Sequence, residues 1–140
     1  MTLAGLAFQS AAAQAVTFEV QGKKGESLFR SSEPVDLKKE TVGSATILFL
    51  EKARQQGLLR YQGNDGGLVS INELGNDTEV LSDTRMKAFG WCYSINGKTP
   101  GVMPDRIHLA NQTDHLTWFY AYALYESGNW VAQCVPAPQP

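Results

Sequence analysis

Residues 115–126 read HLTWFYAYALYE, and this twelve-residue stretch constrains the fold more than any other. It is rich in aromatic side chains and apolar at alternate positions on both of its sides. Leu116, Trp118, Tyr120 and Tyr122 share one face, while Phe119, Ala121 and Ala123 share the other. A strand that is apolar on both faces has to be covered on both, so it belongs at the centre of a sheet. Glu126-Ser127-Gly128-Asn129 then turns the chain back into WVAQCV, which reads as a final antiparallel strand.

The remaining segments supply neighbours for that strand. VTFEVQG, from Val16, alternates with Val16, Phe18 and Val20 on one face, and Gly22–Gly25 provide a turn. A second strand is expected within ESLFRSSEPVDLKKETV, at an edge or giving way to a loop at Pro34. A short helix follows, with Ser44 as its N-cap, Ile47, Leu48, Leu50 and then Ala53 or Arg54 on successive turns, and Gly57 just past its end. LLRYQG and GLVSINEL flank the turn-forming Asn64-Asp65-Gly66-Gly67. The polar run NDTEVLSDTRMKAF is expected as loop, with room for a turn of helix. GWCYSI and KTPGV flank Asn96-Gly97, a dipeptide suited to a type I′ hairpin because both central residues need positive φ. DRIHL is a short strand or a docking segment. One helix among seven or eight strands implies an α+β fold, a sheet with the helix on one face.

With 140 residues, 43% hydrophobic and 19% charged, the chain fits one globular domain and not a disordered segment. Its net charge of −2 and its lack of basic blocks give no footprint for nucleic acid or for a membrane surface. Residues 3–15 form a short apolar run closing on Ala13-Gln14-Ala15, the shape that signal peptidase reads. Residues 1–15 are accordingly read as the remnant of an export signal whose positive segment is missing, residues 16–135 as the domain, and residues 136–140 as a tail. That places the protein in a secreted or periplasmic compartment, with no membrane insertion. An even cysteine count in an exported chain points to one disulfide, Cys92–Cys134. The bridge would close a loop of about 40 residues, worth about 3–4 kcal/mol in the chain-entropy model.

Three pieces in order carry a family likeness: Val42-Gly43-Ser44-Ala45 leading into the helix, Gly90-Trp91-Cys92-Tyr93-Ser94-Ile95-Asn96-Gly97, and Thr113-Asp114-His115-Leu116-Thr117-Trp118-Phe119-Tyr120. Together they resemble the C-terminal domain of transcobalamin and intrinsic factor, and the small bacterial domains that share its G-W-x-Y-x-[IV]-N-G hairpin and D-x-[IVL]-x-W-x-Y strand. The resemblance runs from Val16 to about Tyr122. It implies a β-grasp-like mixed sheet crossed by one helix. It also implies a binding role, because in the vitamin carriers this domain forms a lid over cobalamin held against a helical barrel. No such barrel lies within these 140 residues, so cobalamin or a related tetrapyrrole would need a separate partner domain. Cys92 departs from the hydrophobic residue usual between Trp and Tyr.

Trp91, Tyr93 and Ile95 on one strand, and Leu116 to Tyr122 on the central one, alternate as a sheet core does. An aromatic platform for a ligand is the competing use of the same residues. Trp130 and Met103, at strand ends, would rim a groove. The candidate ligand-binding residues are therefore Trp91, Tyr93, Met103, Trp118 and Trp130. His108 and His115, with Asp105 and Asp114 near them, match no zinc spacing. No G-x-S-x-G, phosphate loop or Cys–His pairing is present, and Asp77, Glu79 and Asp83 read as a solvated acidic loop. Asn76-Asp77-Thr78 and Asn111-Gln112-Thr113 are glycosylation sequons that matter only in a eukaryotic host. The expectation is a non-catalytic module that binds an unidentified small molecule or protein partner.

Overall fold

The structure, a computed structural model, describes residues 14–138; the expected export signal lies outside them apart from Gln14 and Ala15. The fold is α+β, a β-grasp-like mixed sheet with one helix packed on it. Its centre is β7 (His115–Glu126), as the two-sided apolar pattern requires. One edge of β7 pairs antiparallel along its whole length with β6 (Arg85–Ile95). The other edge is divided. Its first half runs parallel to β1 (Val16–Gln21), and its second half pairs antiparallel with β8 (Asn129–Pro136). Beyond β1 lies its hairpin partner β2 (Ser27–Glu33), which stops before Pro34, and beyond β6 lies β5 (Asp77–Ser82).

The helix α1 (Val42–Gln55) covers one face of this sheet. It buries Val42, Ala45, Thr46, Phe49, Leu50 and Ala53, an i, i+3, i+4, i+7 stripe. Phe49 stacks on Phe18 of β1 with ring centroids 4.8 Å apart. Thr46 does the polar joining: its hydroxyl donates to Val42 O and accepts the indole N–H of Trp118, each at 2.8 Å. Trp118 is thus only 2% exposed without leaving its N–H unpaired.

Four sequence expectations need correcting. The N-cap is Thr41 and not Ser44. Thr41 Oγ1 accepts the Ser44 N–H at 3.0 Å and Ser44 Oγ accepts the Thr41 N–H at 2.9 Å, so Ser44 takes the third helical position of a capping box. The buried stripe runs through Ala45, Thr46, Phe49, Leu50 and Ala53, and Leu48, expected on it, is 57% exposed on another face. Second, residues 77–89 are not loop but the paired ends of β5 and β6. Third, KTPGV forms no return strand: after Asn96-Gly97 a single bridge, Ile95 to Lys98, precedes the break at Pro100. Asn96 and Gly97 do hold the positive φ of a type I′ turn, at 52° and 81°. Fourth, Pro136, expected to open the tail, ends β8, and Ala137 N–H donates to Tyr120 O at 3.0 Å, so the first residues of that tail are tied to the sheet.

The segments Gly90–Gly97 and Thr113–Tyr120 meet at the turn. Asn96 Nδ2 donates to Asp114 Oδ1 at 2.9 Å, and Asn96 Oδ1 accepts the His115 N–H at 2.8 Å. The other Asp114 oxygen accepts the amides of Ala110 and Asn111 at 2.9 and 3.0 Å. Burial alone pushes this carboxyl up. The hydrogen bonds from Asn96, Asn111 and Ala110, with His115 adding, outweigh it and hold Asp114 below the usual aspartate range. A carboxyl depressed in the folded state stabilises the fold above its unfolded value. That contribution disappears as pH falls from about 4 through the folded value. Asp114→Asn is expected to lower the neutral-pH unfolding free energy by about 1–3 kcal/mol. In urea unfolding at stepped pH, the gap between variant and parent should close on the acid side; a pH-independent gap contradicts the assignment.

Candidate functional site

A cleft of about 580 Å³ opens along β6, and the local structure explains how it is built. Its floor is the Trp91-Cys92-Tyr93 stretch, together with the buried indole of Trp118. One wall is the segment Thr99–Pro104 with Arg106, which follows the Asn-Gly turn. The 3₁₀ turn at Pro104–Arg106 fixes this wall, and Ile107 O accepts the Val42 N–H at 2.8 Å, which docks it on the helix start. Tyr93 ties wall to floor by donating its hydroxyl to Val102 O at 2.6 Å. Burial pushes that phenol up, with the Asp105 carboxylate adding, so it stays a neutral donor.

The opposite wall comes from the separate two-stranded sheet of β3 (Tyr61–Asn64) and β4 (Gly67–Ile71), through Gly66, Gly67 and Leu68. This hairpin is seated by a close approach. A Cβ on Gly43 in the first helical turn would lie 1.8 Å from Asp65 O, so only glycine fits there. A second tie joins the helix to β3, where Tyr61 donates its hydroxyl to Glu51 at 2.8 Å. The hydrogen bonds from Arg54 and then Tyr61 hold the exposed Glu51 carboxyl at about 2.

The disulfide closes the third side. Cys92 and Cys134 are bonded, with Cα atoms 5.8 Å apart. They sit on strands that flank β7 on opposite edges, which an even sheet would hold about 10 Å apart. A bulge resolves the mismatch: Gln133 and Cys134 both oppose the Ala123 region of β7, and Cys134 takes the left-handed φ of 52°. The bulge curls β8 over the sheet face that the helix leaves free, and Gln133 and Cys134 join the cleft lining.

Of the five candidate ligand residues, the structure brings Trp91, Tyr93, Met103 and Trp118 to this one cleft. The three aromatic ones are nearly buried and serve as core as well as floor, whereas Met103 is 55% exposed at the lip. Trp130 lies apart, in a smaller hollow of about 270 Å³ that shares Trp91, Cys92, Gln133 and Cys134 with the cleft. There it packs edge-on against Tyr125, at 5.0 Å. Sequence reasoning did not find Arg106, Gln133 or Leu68; nothing in their local pattern signals a shared cleft. The two histidines have separate structural roles. His108 Nδ1 lies 3.0 Å from Leu37 O, and His115 begins β7 beside Asn96. Among the described residues no group of three His, Cys, Asp or Glu side chains is placed to hold a metal ion, and no helix is long and apolar enough to cross a membrane.

A crystal structure of a proposed metal binding protein from Ruminococcus gnavus ATCC 29149 aligns with 76% of this chain and 95% of that one, at 15% identity and a TM-score of 0.45, a likeness too slight to carry an assignment. No family model and no curated protein matches the chain.

The bridge closes a 42-residue separation, and removing it should cost about 3–4 kcal/mol. The Cys92→Ala/Cys134→Ala variant and the reduced parent should therefore show the same lowered urea midpoint. A variant as stable as the oxidised parent would show that the bond adds nothing to the fold.

Proposed function

We propose that this protein is an exported, non-catalytic binding module of the transcobalamin C-terminal type, and that it holds a small-molecule ligand or a protein partner in the cleft along β6. The observation that carries this reading is the convergence of Trp91, Tyr93, Trp118 and Met103 on one concave, largely apolar surface. The disulfide supports an oxidising compartment. The ionisable groups nearby support a binding role over a catalytic one. The Tyr93 phenol is occupied by Val102, and no nucleophile stands beside a base in the cleft lining. The Asn96–Asp114 clamp supports kinship with the transcobalamin-like domains, since it gives a physical reason for the pairing of their two motifs.

A volume of about 580 Å³ suits a drug-sized ligand, so a corrinoid would need a second surface from another domain. A thermal-shift panel of cyanocobalamin, divalent metal salts and simple sugars tests the reading. A ligand at 100 times its Kd stabilises by about 2.7 kcal/mol and raises the midpoint by several degrees. Met103→Asp, at an exposed lip, should abolish that rise without changing the unliganded midpoint. A rise that survives this substitution would place the site elsewhere on the molecule.

A further inference from the structure

The cleft lies along a stretch of sheet edge that the fold leaves unpaired. β5 pairs with β6 only from Arg85 to Phe89. Upstream of β5 the chain turns away. Leu74 bridges back to Ile71 while its carbonyl accepts the Trp91 indole N–H, and Gly75 O accepts the Tyr120 hydroxyl. At the far end Ile95 exchanges main-chain hydrogen bonds with Lys98. Between these limits the direction of each main-chain group follows from alternation. Asn96 N–H points to His115 O on β7 and Ile95 N–H points the opposite way, so Tyr93 and Trp91 also point outward. Among the described residues no main-chain partner meets the N–H or C=O of either.

The cleft runs along this edge. Its lining includes Trp91 and Tyr93 from the helix-facing side of the sheet and Cys92 and Cys134 from the other side. The outward groups of Trp91 and Tyr93 repeat at about 7 Å, the two-residue spacing of an extended chain. An apolar small molecule seated there would bury those groups without partners, which is unfavourable. An extended backbone would satisfy them all. At the rim stand the exposed Met103 side chain and Arg106, which makes no ion pair among the described residues.

We propose that the cleft binds an extended peptide segment of a partner protein, added to the sheet as a short strand beside Trp91 and Tyr93, with an apolar side chain on Met103 and a carboxylate facing Arg106. This rests on the cleft being the binding site, and names its occupant. Strand addition supplies affinity through the main chain, and the two rim residues supply selectivity.

The test uses a random heptapeptide display library selected on the full chain, with the selected peptide synthesised and titrated by calorimetry and amide NMR. Strand addition predicts shifts at the Trp91 and Tyr93 amides and an acidic residue in the selected consensus. Arg106→Glu and Met103→Asp should each weaken binding about tenfold or more. N-methylation of alternate peptide residues decides the main-chain claim: one set of positions should abolish binding and the interleaved set should leave it unchanged. Tolerance of both sets, with cleft amides still shifting, overturns strand addition and leaves the cleft as the site. Selected peptides that shift amides elsewhere overturn both. A library that yields no binder, or a second copy of the chain seated on this edge in solution, overturns the proposal.

Discussion

The whole architecture depends on satisfying β7. Its side chains are apolar on both faces and its main chain needs partners on both edges. The helix covers one face with Phe49, Leu50 and Ala53. β6 takes one edge completely, and the other is too long for β1, which pairs only as far as Phe119. β8 is the answer to the remaining half. It returns from Glu126 along the vacant edge, and its bulge and disulfide turn it over the free face. The features that look like elaborations of a β-grasp sheet are therefore what a twelve-residue central strand demands.

The same demand shapes the cleft. β6 is held rigidly on its β7 side, by the ladder and by Asn96 clamped on Asp114, so its outer edge is presented at a fixed place. β5 covers only the first part of that edge because the chain before it is drawn under the sheet by Trp91 and Tyr120. The wall from Thr99 to Arg106 is then anchored twice, by Tyr93 and by the start of the helix. The cleft is thus a gap left between well-fixed parts, a suitable basis for a preformed site.

How much of this could be read from the residues depends on what each segment buries. β7, β1 and the Asn96-Gly97 turn were legible because burial or positive φ leaves few residue choices. The Cys92–Cys134 bond followed from the even cysteine count and the expected export. β5 was not legible, since all six of its residues are exposed and it is held by main-chain bonds that leave no apolar period. The helix start was misplaced because Thr41 and Ser44 are both good caps; the choice between them falls to the docking of Val42 on Ile107. Trp91, Tyr93, Trp118 and Met103 were identified one by one. Their convergence is a tertiary fact, as is the part played by Arg106 and Gln133, which come from segments with no distinctive pattern. Trp130, chosen for the same reason as Met103, packs on Tyr125 in the neighbouring hollow, because β8 curls at its other end.

A preformed cleft along an open strand edge is the central claim, and amide hydrogen exchange in the free protein tests it most directly. Inward-pointing Cys92 and Ser94 should exchange only through global unfolding, at the free energy found by denaturant. Trp91 and Tyr93, which alternate with them on the same strand, should exchange orders of magnitude faster. Uniform protection from Gly90 to Ile95 would mean that the edge is already covered, and would contradict the account.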